Sequence, residues 1–112
     1  MGAAEHDELL AFLSHLPQLA ASALMDVVGG AAGDRLAMAG RGLVDTTRLA
    51  SSPPGIWQDI AATNSDHLGR ALDAFIERLT ELRNGLEDHD TIERVFHEAA
   101  RWRSRLVEGR EL

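Results

Sequence analysis

The stretch SDHLGRALDAFIERLTELRNGL, residues 65–86, decides the fold of this 112-residue chain. Its apolar side chains recur at three- and four-residue spacing, so it predicts a long amphipathic helix. Residues 90–106 have the same spacing of apolar residues. The segment from Asp90 to Glu93 has the character of a capping box that opens a second long helix. The apolar positions are Leu68, Leu72, Phe75, Ile76, Leu79, Leu82 and Leu86, then Ile92, Val95, Phe96, Ala99, Trp102 and Leu106.

The N-terminal segment, from Glu5 to about Val28, favours helix and has apolar side chains on more than one face. Such a helix must be covered on most sides, which indicates the centre of a bundle or a subunit interface. Pro17 lacks a backbone donor and crowds the Leu13 carbonyl, which predicts a kink near Leu13–Pro17. The kink either wraps the helix round a core or is a functional break. The glycines within 29–33 are predicted to end this helix.

Short helices are predicted in the middle of the chain. Residues 34–39 form a helical turn, and Gly40-Arg41-Gly42 is predicted to be a loop with at least one positive φ angle. Asp45 is placed to cap the next turn, 46–48. Ser52-Pro53-Pro54 predicts a stop and then a proline-initiated helix through about Thr63. Strand patterns are absent, so the prediction is an all-α compact domain of about five to six helices, with a long kinked N-terminal helix and two long C-terminal helices.

Composition excludes several classes of function. The net charge is -7 and every basic residue is arginine, diluted among 18 acidic residues, which argues against a nucleic-acid partner. The N-terminal apolar run is interrupted by polar residues, which argues against a membrane span, and residues 1–7 lack the cationic start of a signal peptide, so export is not expected. The absence of cysteine fits a reducing interior, so a cytoplasmic location is expected. The five histidines lack metal-ligand spacing and no GxGxxG is present, so neither a metal nor a cofactor is expected in this chain.

Two groups of residues resemble a known family. The first is His6-Asp7 followed by Ser14-His15-Leu16-Pro17-Gln18, and the second is Asp45-Thr46-Thr47-Arg48 followed by Trp57-Gln58-Asp59-Ile60. In order and spacing they resemble the C-terminal domain of prephenate dehydrogenases, which shows an HD pair, a SHLPH stretch, a DxTR segment and a Trp-x-Asp-Ile helix. The resemblance extends from His6 to about Leu106. It departs from the family pattern at Gln18, where the family has a second histidine, and at Arg41, where a glycine is common.

The resemblance implies that residues 1–112 form one helical domain that interlocks two subunits as a homodimer. An N-terminal Rossmann domain of the same protein, absent from this chain, is then expected to bind NAD or NADP and to supply the catalytic histidine. The substrate implied is prephenate or arogenate, with tyrosine as a possible further ligand, and the pathway is tyrosine biosynthesis. This chain is expected to be inactive alone.

The same resemblance assigns the site residues. Arg48 resembles the arginine that holds a prephenate carboxylate, a task that suits its bidentate geometry. Asp45 resembles an acidic partner of that arginine, and helical spacing predicts that both lie on one side. Trp57 resembles a pocket wall, with a core tryptophan as the alternative. Ser14 and Gln18 are one helical turn apart and are predicted to face the substrate together, although glutamine cannot change its charge near neutral pH as histidine does.

Two other functions are compatible with parts of the pattern. Gln18 in place of histidine and Arg41 in place of glycine are compatible with a purely structural dimerisation module that binds no ligand. A small all-helical enzyme of the chorismate mutase type would also be a dimer that acts on a dicarboxylate. Such an enzyme needs several cations around its substrate, often including a lysine, and this chain has no lysine.

Overall fold

A computed structural model describes residues 1–111 of the chain, with side chains through residue 110. Within these residues the chain is almost entirely helical and no strand is present, which confirms the all-α prediction. Contacts divide it into two compact units, Met1–Leu72 and the part from Asp73 onward. The α-helices are α1 Ala3–Leu10, α2 Leu16–Ala32, α3 Arg41–Thr46, α4 Pro54–Thr63, α5 Ser65–Asn84 and α6 His89–Glu111.

Helices α1 and α2 belong to one continuous helical stretch, Ala3–Met38, which also contains a π-helical turn at Ala11–His15 and a 3₁₀ turn at Gly33–Met38. The prediction that Gly29, Gly30 and Gly33 end the helix is confirmed at Gly33 and wrong at Gly29 and Gly30, because α2 runs through both of these. It ends where Gly33 takes a φ of 53°, the left-handed conformation that glycine adopts without steric cost. Glycine inside a helix costs stability but does not by itself end the helix.

By length and composition alone, the stretch Ala3–Met38 is long and apolar enough to cross a membrane. Only 22% of its most apolar window is buried within the chain. Both a lipid-facing helix and a helix that packs against other protein satisfy this criterion.

The predicted loop at Gly40-Arg41-Gly42 is not present. Gly40 is extended, with a φ of −95°, and α3 begins at Arg41. Among the described residues a positive φ occurs only at Gly33, so the glycines around Arg41 are not needed for a left-handed turn. The paired glycines indicated a turn, but the six residues that follow Gly40 complete a short helix instead.

The proline-initiated helix is confirmed. Ser52 and Pro53 are extended, and α4 starts at Pro54, where the missing N–H would have had no helical partner in any case. It ends at Thr63, as predicted. Asn64 alone separates α4 from α5.

The two long C-terminal helices are also confirmed, with shifted ends. Helix α5 stops at Asn84 rather than Leu86. The cap of α6 is Asp88 and not Asp90: one Asp88 carboxylate oxygen accepts from the Asp90 N–H at 3.1 Å, and the other accepts from the Thr91 hydroxyl at 2.8 Å. These bonds hold the pKa of the Asp88 carboxyl below its ordinary value. Asp90 therefore occupies the first turn, where a negative charge is still favourable.

The hydrophobic core of the chain is small. Of the apolar residues described, only Ala11, Ala21, Leu68 and Ala71 are buried. Large apolar side chains remain at least partly exposed in both units, and among those described none of the largest is fully buried. In the first unit these include Phe12, Leu13, Val27, Met38, Val44 and Ile56, and in the second Ile76, Leu79, Leu86, Phe96, Trp102 and Leu106. The apolar faces predicted from sequence exist, but the chain itself does not cover them.

Candidate functional site

The π-helical turn is the feature that shapes the N-terminal part of the site. Its closing hydrogen bond runs from the Leu16 N–H to the Ala11 carbonyl, five residues back rather than four. Pro17, the second residue of α2, has no N–H to donate, so the wider turn lies where regular helical bonding has already lost a donor. An irregular turn therefore exists where the sequence predicted a kink.

Gln18 is the most tightly held polar residue near this turn. Its side chain is only 5% exposed. Its Nε2 donates to the Leu49 carbonyl at 2.7 Å and to the Ser22 hydroxyl at 3.2 Å, and its Oε1 accepts from the Ser52 hydroxyl at 3.2 Å. A carbonyl can only accept, so the Leu49 contact fixes which end of the amide faces it. We call these four residues, Gln18, Ser22, Leu49 and Ser52, the Gln18 clamp.

The clamp joins α2 to a short 3₁₀ turn, Arg48–Ser51, which carries the predicted substrate arginine. Arg48 is exposed, and its side chain forms no hydrogen bond or ion pair with the part of the chain that the structure describes. Its carbonyl accepts a weak bond of 3.4 Å from the Ser51 hydroxyl. The guanidinium fork is therefore accessible to an external carboxylate, while the backbone beneath it is tied to α2.

A second cluster attaches α4 to the N-terminal helices. The His15 ring meets the Trp57 ring edge-to-face, with centroids 6.0 Å apart and planes at 82°. His15 Nδ1 also lies 3.4 Å from the Asn64 side-chain amide, which donates to the Asp7 carbonyl at 3.0 Å. Trp57 is half-buried, which is compatible with both a pocket wall and a packing role. The π turn thus ends on a histidine that contacts residues at both ends of α4.

Three predicted arrangements differ from the structure. Asp45 lies inside α3, so it cannot cap the turn after it; the cap residue there is Thr47, without a side-chain cap bond. The helix is interrupted at Thr47, and no ion pair joins Asp45 to Arg48 in the described part of the chain. Ser14 and Gln18 do not lie in the same environment either, since Ser14 is exposed in the π turn while Gln18 is buried in α2. The Asp45–Arg48 and Ser14–Gln18 placements were predicted from regular helical spacing, which the chain does not keep at these points.

Sequence reasoning did not find the partners of these residues. Ser52 and Asn64 had no motif of their own, and the Leu49 contact uses a backbone carbonyl, which any residue type would supply. The only available signal was the position of Asn64, a lone amide between two predicted helices. Substrate roles for Arg48 and the other predicted site residues stay predictions.

The carboxyl groups with a lowered pKa lie in the second unit and are tied to structure. The Arg94 side chain bonds Glu81 at 2.7 Å and lowers the pKa of that carboxyl, with further help from Arg78. Arg101 lowers the pKa of Glu98 in the same way, at 2.9 Å. These pairs are exposed, so each contributes little to stability. They are explained by ion pairing along the two helices and do not mark a catalytic site.

Comparison with known proteins assigns the chain to a family. The family model for the prephenate dehydrogenase dimerization domain matches residues 2–99. The chain belongs to that family. Its resemblance at the HD, Ser-His-Leu-Pro and DxTR segments thus reflects membership, and the helical architecture is that of the dimerization domain.

Curated relatives of this dimerization domain are dehydrogenases. A cyclohexadienyl dehydrogenase of Zymomonas mobilis is 36% identical over 94 residues, which are 80% of this chain and 32% of the relative. A prephenate dehydrogenase of Bacillus subtilis is 30% identical over 113 aligned positions, covering 95% of this chain and 30% of the relative. The chain therefore spans about a third of the length of these relatives.

A solved structure has the same fold. The arogenate dehydrogenase of Synechocystis superposes with a TM-score of 0.85 at 25% identity, covering 95% of this chain and 41% of that one. The helical arrangement described above is thus found within a longer dehydrogenase chain.

Proposed function

We propose that this dimerization domain joins two subunits of a cytoplasmic prephenate or arogenate dehydrogenase of tyrosine biosynthesis and binds a carboxylate of the substrate. One observation carries the binding part of the proposal: Arg48 is exposed, has no partner among the described residues, and lies on a backbone segment that the Gln18 clamp holds. An accessible guanidinium on a fixed backbone suits bidentate recognition of a carboxylate.

The homodimer is supported by the uncovered apolar faces of both units. Val27 is 69% exposed and Leu13 68% exposed in the first unit, and Phe96 is 67% exposed in the second. Exposed apolar surface on this scale is typical of chains that fold together with a partner. The buried Gln18 amide and the charged Asp26 on the same helical stretch favour a protein partner over lipid, because polar groups are costly to place in a bilayer.

In the proposed site, Arg48 holds the carboxylate and Trp57 forms an apolar wall. The contacts of His15 with Trp57 and Asn64 support this arrangement, because they hold α4 near the N-terminal helices within the same unit. Asp45 and Ser14 are exposed, and in the proposal both are available to contact the substrate. Tyrosine, which also carries a carboxylate, is a possible competing ligand.

The redox step belongs elsewhere in the proposed enzyme. The residues of this chain do not fit NAD or NADP: the sequence has no GxGxxG fingerprint, and the described residues include no strand to precede one. We therefore assign cofactor binding and the catalytic histidine to a Rossmann domain of the same protein. The dimerization domain alone is then inactive toward prephenate.

The test uses the chain alone and within an assembled enzyme. In the second form, this chain replaces the corresponding third of the Zymomonas mobilis cyclohexadienyl dehydrogenase. We expect no prephenate-dependent NADH formation from the chain alone and turnover from the chimera.

Within the chimera, Arg48→Lys keeps the charge but loses the two-point grip, so the KM for prephenate should rise. The expected loss is about 1.5–3 kcal/mol, or roughly tenfold to more than a hundredfold. Arg48→Ala should be at least as severe. Unchanged kinetics in both variants, with the melting temperature also unchanged, would leave dimerisation as the function.

A purely structural module is the second candidate. The observation that favours it is that Gln18, at the position of the motif's second histidine, is already bonded to the chain's own groups. In that case the chimera dimerises but none of the Arg48 variants changes the KM.

A further inference from the structure

The position of Arg48 depends on a segment too short to be stable alone. The 3₁₀ turn Arg48–Ser51 has only four residues; at its edges the Ala50 N–H donates to the Thr47 carbonyl at 2.9 Å and the Ser52 N–H donates to the Leu49 carbonyl at 3.2 Å. One helical turn does not repay the entropy of fixing its backbone. Something outside the turn must therefore hold it in place.

The Gln18 clamp is that support. It grips the turn at two points, the Leu49 carbonyl and the Ser52 hydroxyl, on either side of Ala50. Its Leu49 bond, at 2.7 Å, is among the shortest side-chain bonds described, and it joins residues 31 apart in sequence. The Ser51 hydroxyl bond, by contrast, is local, exposed and 3.4 Å long. The geometry of the clamp therefore fixes the backbone from which Arg48 projects.

We infer that Gln18 is a positioning residue: it sets the direction of Arg48 through the Leu49 carbonyl and does not itself contact the ligand. The inference rests on the proposed carboxylate role of Arg48. Gln18 is nearly fully buried, and both ends of its amide already have partners within the chain. A bidentate contact depends strongly on the position and angle of the guanidinium, so a small shift of the turn weakens binding.

The first experiment uses the 112-residue chain itself. Gln18→Met keeps the length and apolar stem of the side chain but removes every clamp bond. We expect amide exchange at Ala50 and Ser52 to accelerate at least about tenfold. The backbone N–H of Asn64 donates to the Ile60 carbonyl in α4. Its exchange rate should stay the same, which would show that the unit remains folded. Equal rates at Ala50 and Ser52 in the variant and the wild type would overturn the inference.

A matched control comes from the same turn. Ser51→Ala removes the exposed bond to the Arg48 carbonyl and leaves the clamp complete. We expect its exchange rates at Ala50 and Ser52 to stay within about twofold of wild type. If Ser51→Ala accelerates them as much as Gln18→Met, the turn is held by its own local bonds and the clamp has no special role.

The second experiment is a double-mutant cycle in the chimera, with prephenate as the probe. Gln18→Met should raise KM about tenfold while kcat stays within about twofold, since the loss is in binding geometry. In an Arg48→Ala background, Gln18→Met should add less than about twofold, because the residue it positions is already gone.

The outcomes separate the two proposals. Additive effects of the two substitutions would mean that Gln18 contacts the ligand or acts elsewhere, and the positioning role would be rejected. Loss of kcat with unchanged KM would reject it as well. An Arg48→Ala variant with wild-type KM would instead reject the carboxylate role of Arg48, whatever Gln18 does to the exchange rates.

Discussion

Gly85, between α5 and α6, is the position where adding one carbon should disturb the fold most directly. It is buried, and its N–H donates to the Glu81 carbonyl at 2.9 Å. A Cβ placed on it would lie 2.7 Å from Cγ2, 2.9 Å from Cβ and 3.0 Å from Oγ1 of Thr91. Its φ is not positive, so alanine is allowed by backbone conformation. The predicted cost of Gly85→Ala therefore comes from crowding alone.

The magnitude follows from that geometry. Overpacking by a methyl group against a constrained neighbour costs about 1–3 kcal/mol. The lower backbone entropy of alanine in the unfolded chain offsets about 0.4–1 kcal/mol of this. The difference spans about 0–2.6 kcal/mol, and because two of the contacts lie below 3.0 Å its lowest part does not apply. We expect a net destabilisation of about 1–2 kcal/mol, or a fall in melting temperature of roughly 4–16 °C for a domain of this size.

Thermal unfolding followed by circular dichroism measures the effect at a fixed chain concentration. Gly69→Ala is the control, because its added Cβ meets no atom within 4 Å and glycine inside α5 is a poor helix former. That variant should melt at or above the wild-type temperature. In a Thr91→Ala background two of the three close contacts are removed, so Gly85→Ala should cost less there. A Gly85→Ala chain that melts at or above wild type would refute the reasoning.

Two further predictions concern the cap of α6 and the oligomeric state. Asp88→Ala should lower the melting temperature at neutral pH. Because the folded-state pKa of Asp88 lies below its ordinary 3.8, the difference in melting temperature between wild type and variant should persist above pH 3.8. In a series of melts at decreasing pH, this difference should disappear as the pH falls through the lowered pKa. A difference that stays constant down to the lowest pH would contradict the capping role. Light scattering at micromolar concentration should give the mass of two chains, because one chain leaves side chains such as Phe96 exposed, and a well-folded monomer would be incompatible with the proposed homodimer.

The sequence predicted the elements whose signals are local. Helix α5 followed from the spacing of its apolar residues, and the start of α4 followed from Pro54, because both depend on neighbours within a few positions. The family motifs likewise identified Arg48 as a candidate ligand for a carboxylate. These inferences needed no knowledge of which segments meet in space.

The errors arose where local residue types left the ends of a helix ambiguous, or where the contact joins distant segments. Gly29 and Gly30 suggested a helix end, yet α2 continues through them. Asp45 and Asp90 were both plausible caps, but the cap residues are Thr47 and Asp88, each two residues away. A cap bond forms only at the residue directly before the first helical turn, so a shift of two residues removes it. The Gln18 contact with the Leu49 carbonyl spans 31 residues and uses a backbone atom, so no residue type signals it.

The small core described above makes the chain's concentration part of its stability. Because only four apolar residues are buried in the part of the chain that the structure describes, much of the free energy that favours folding of the proposed dimer must come from the contact between chains. Dilution then acts as a denaturant, and the melting temperature should rise with concentration. A newly made chain would also remain exposed to chaperones and proteases until it associates with a second copy, so the rate of synthesis would help decide how much folded protein a cell contains.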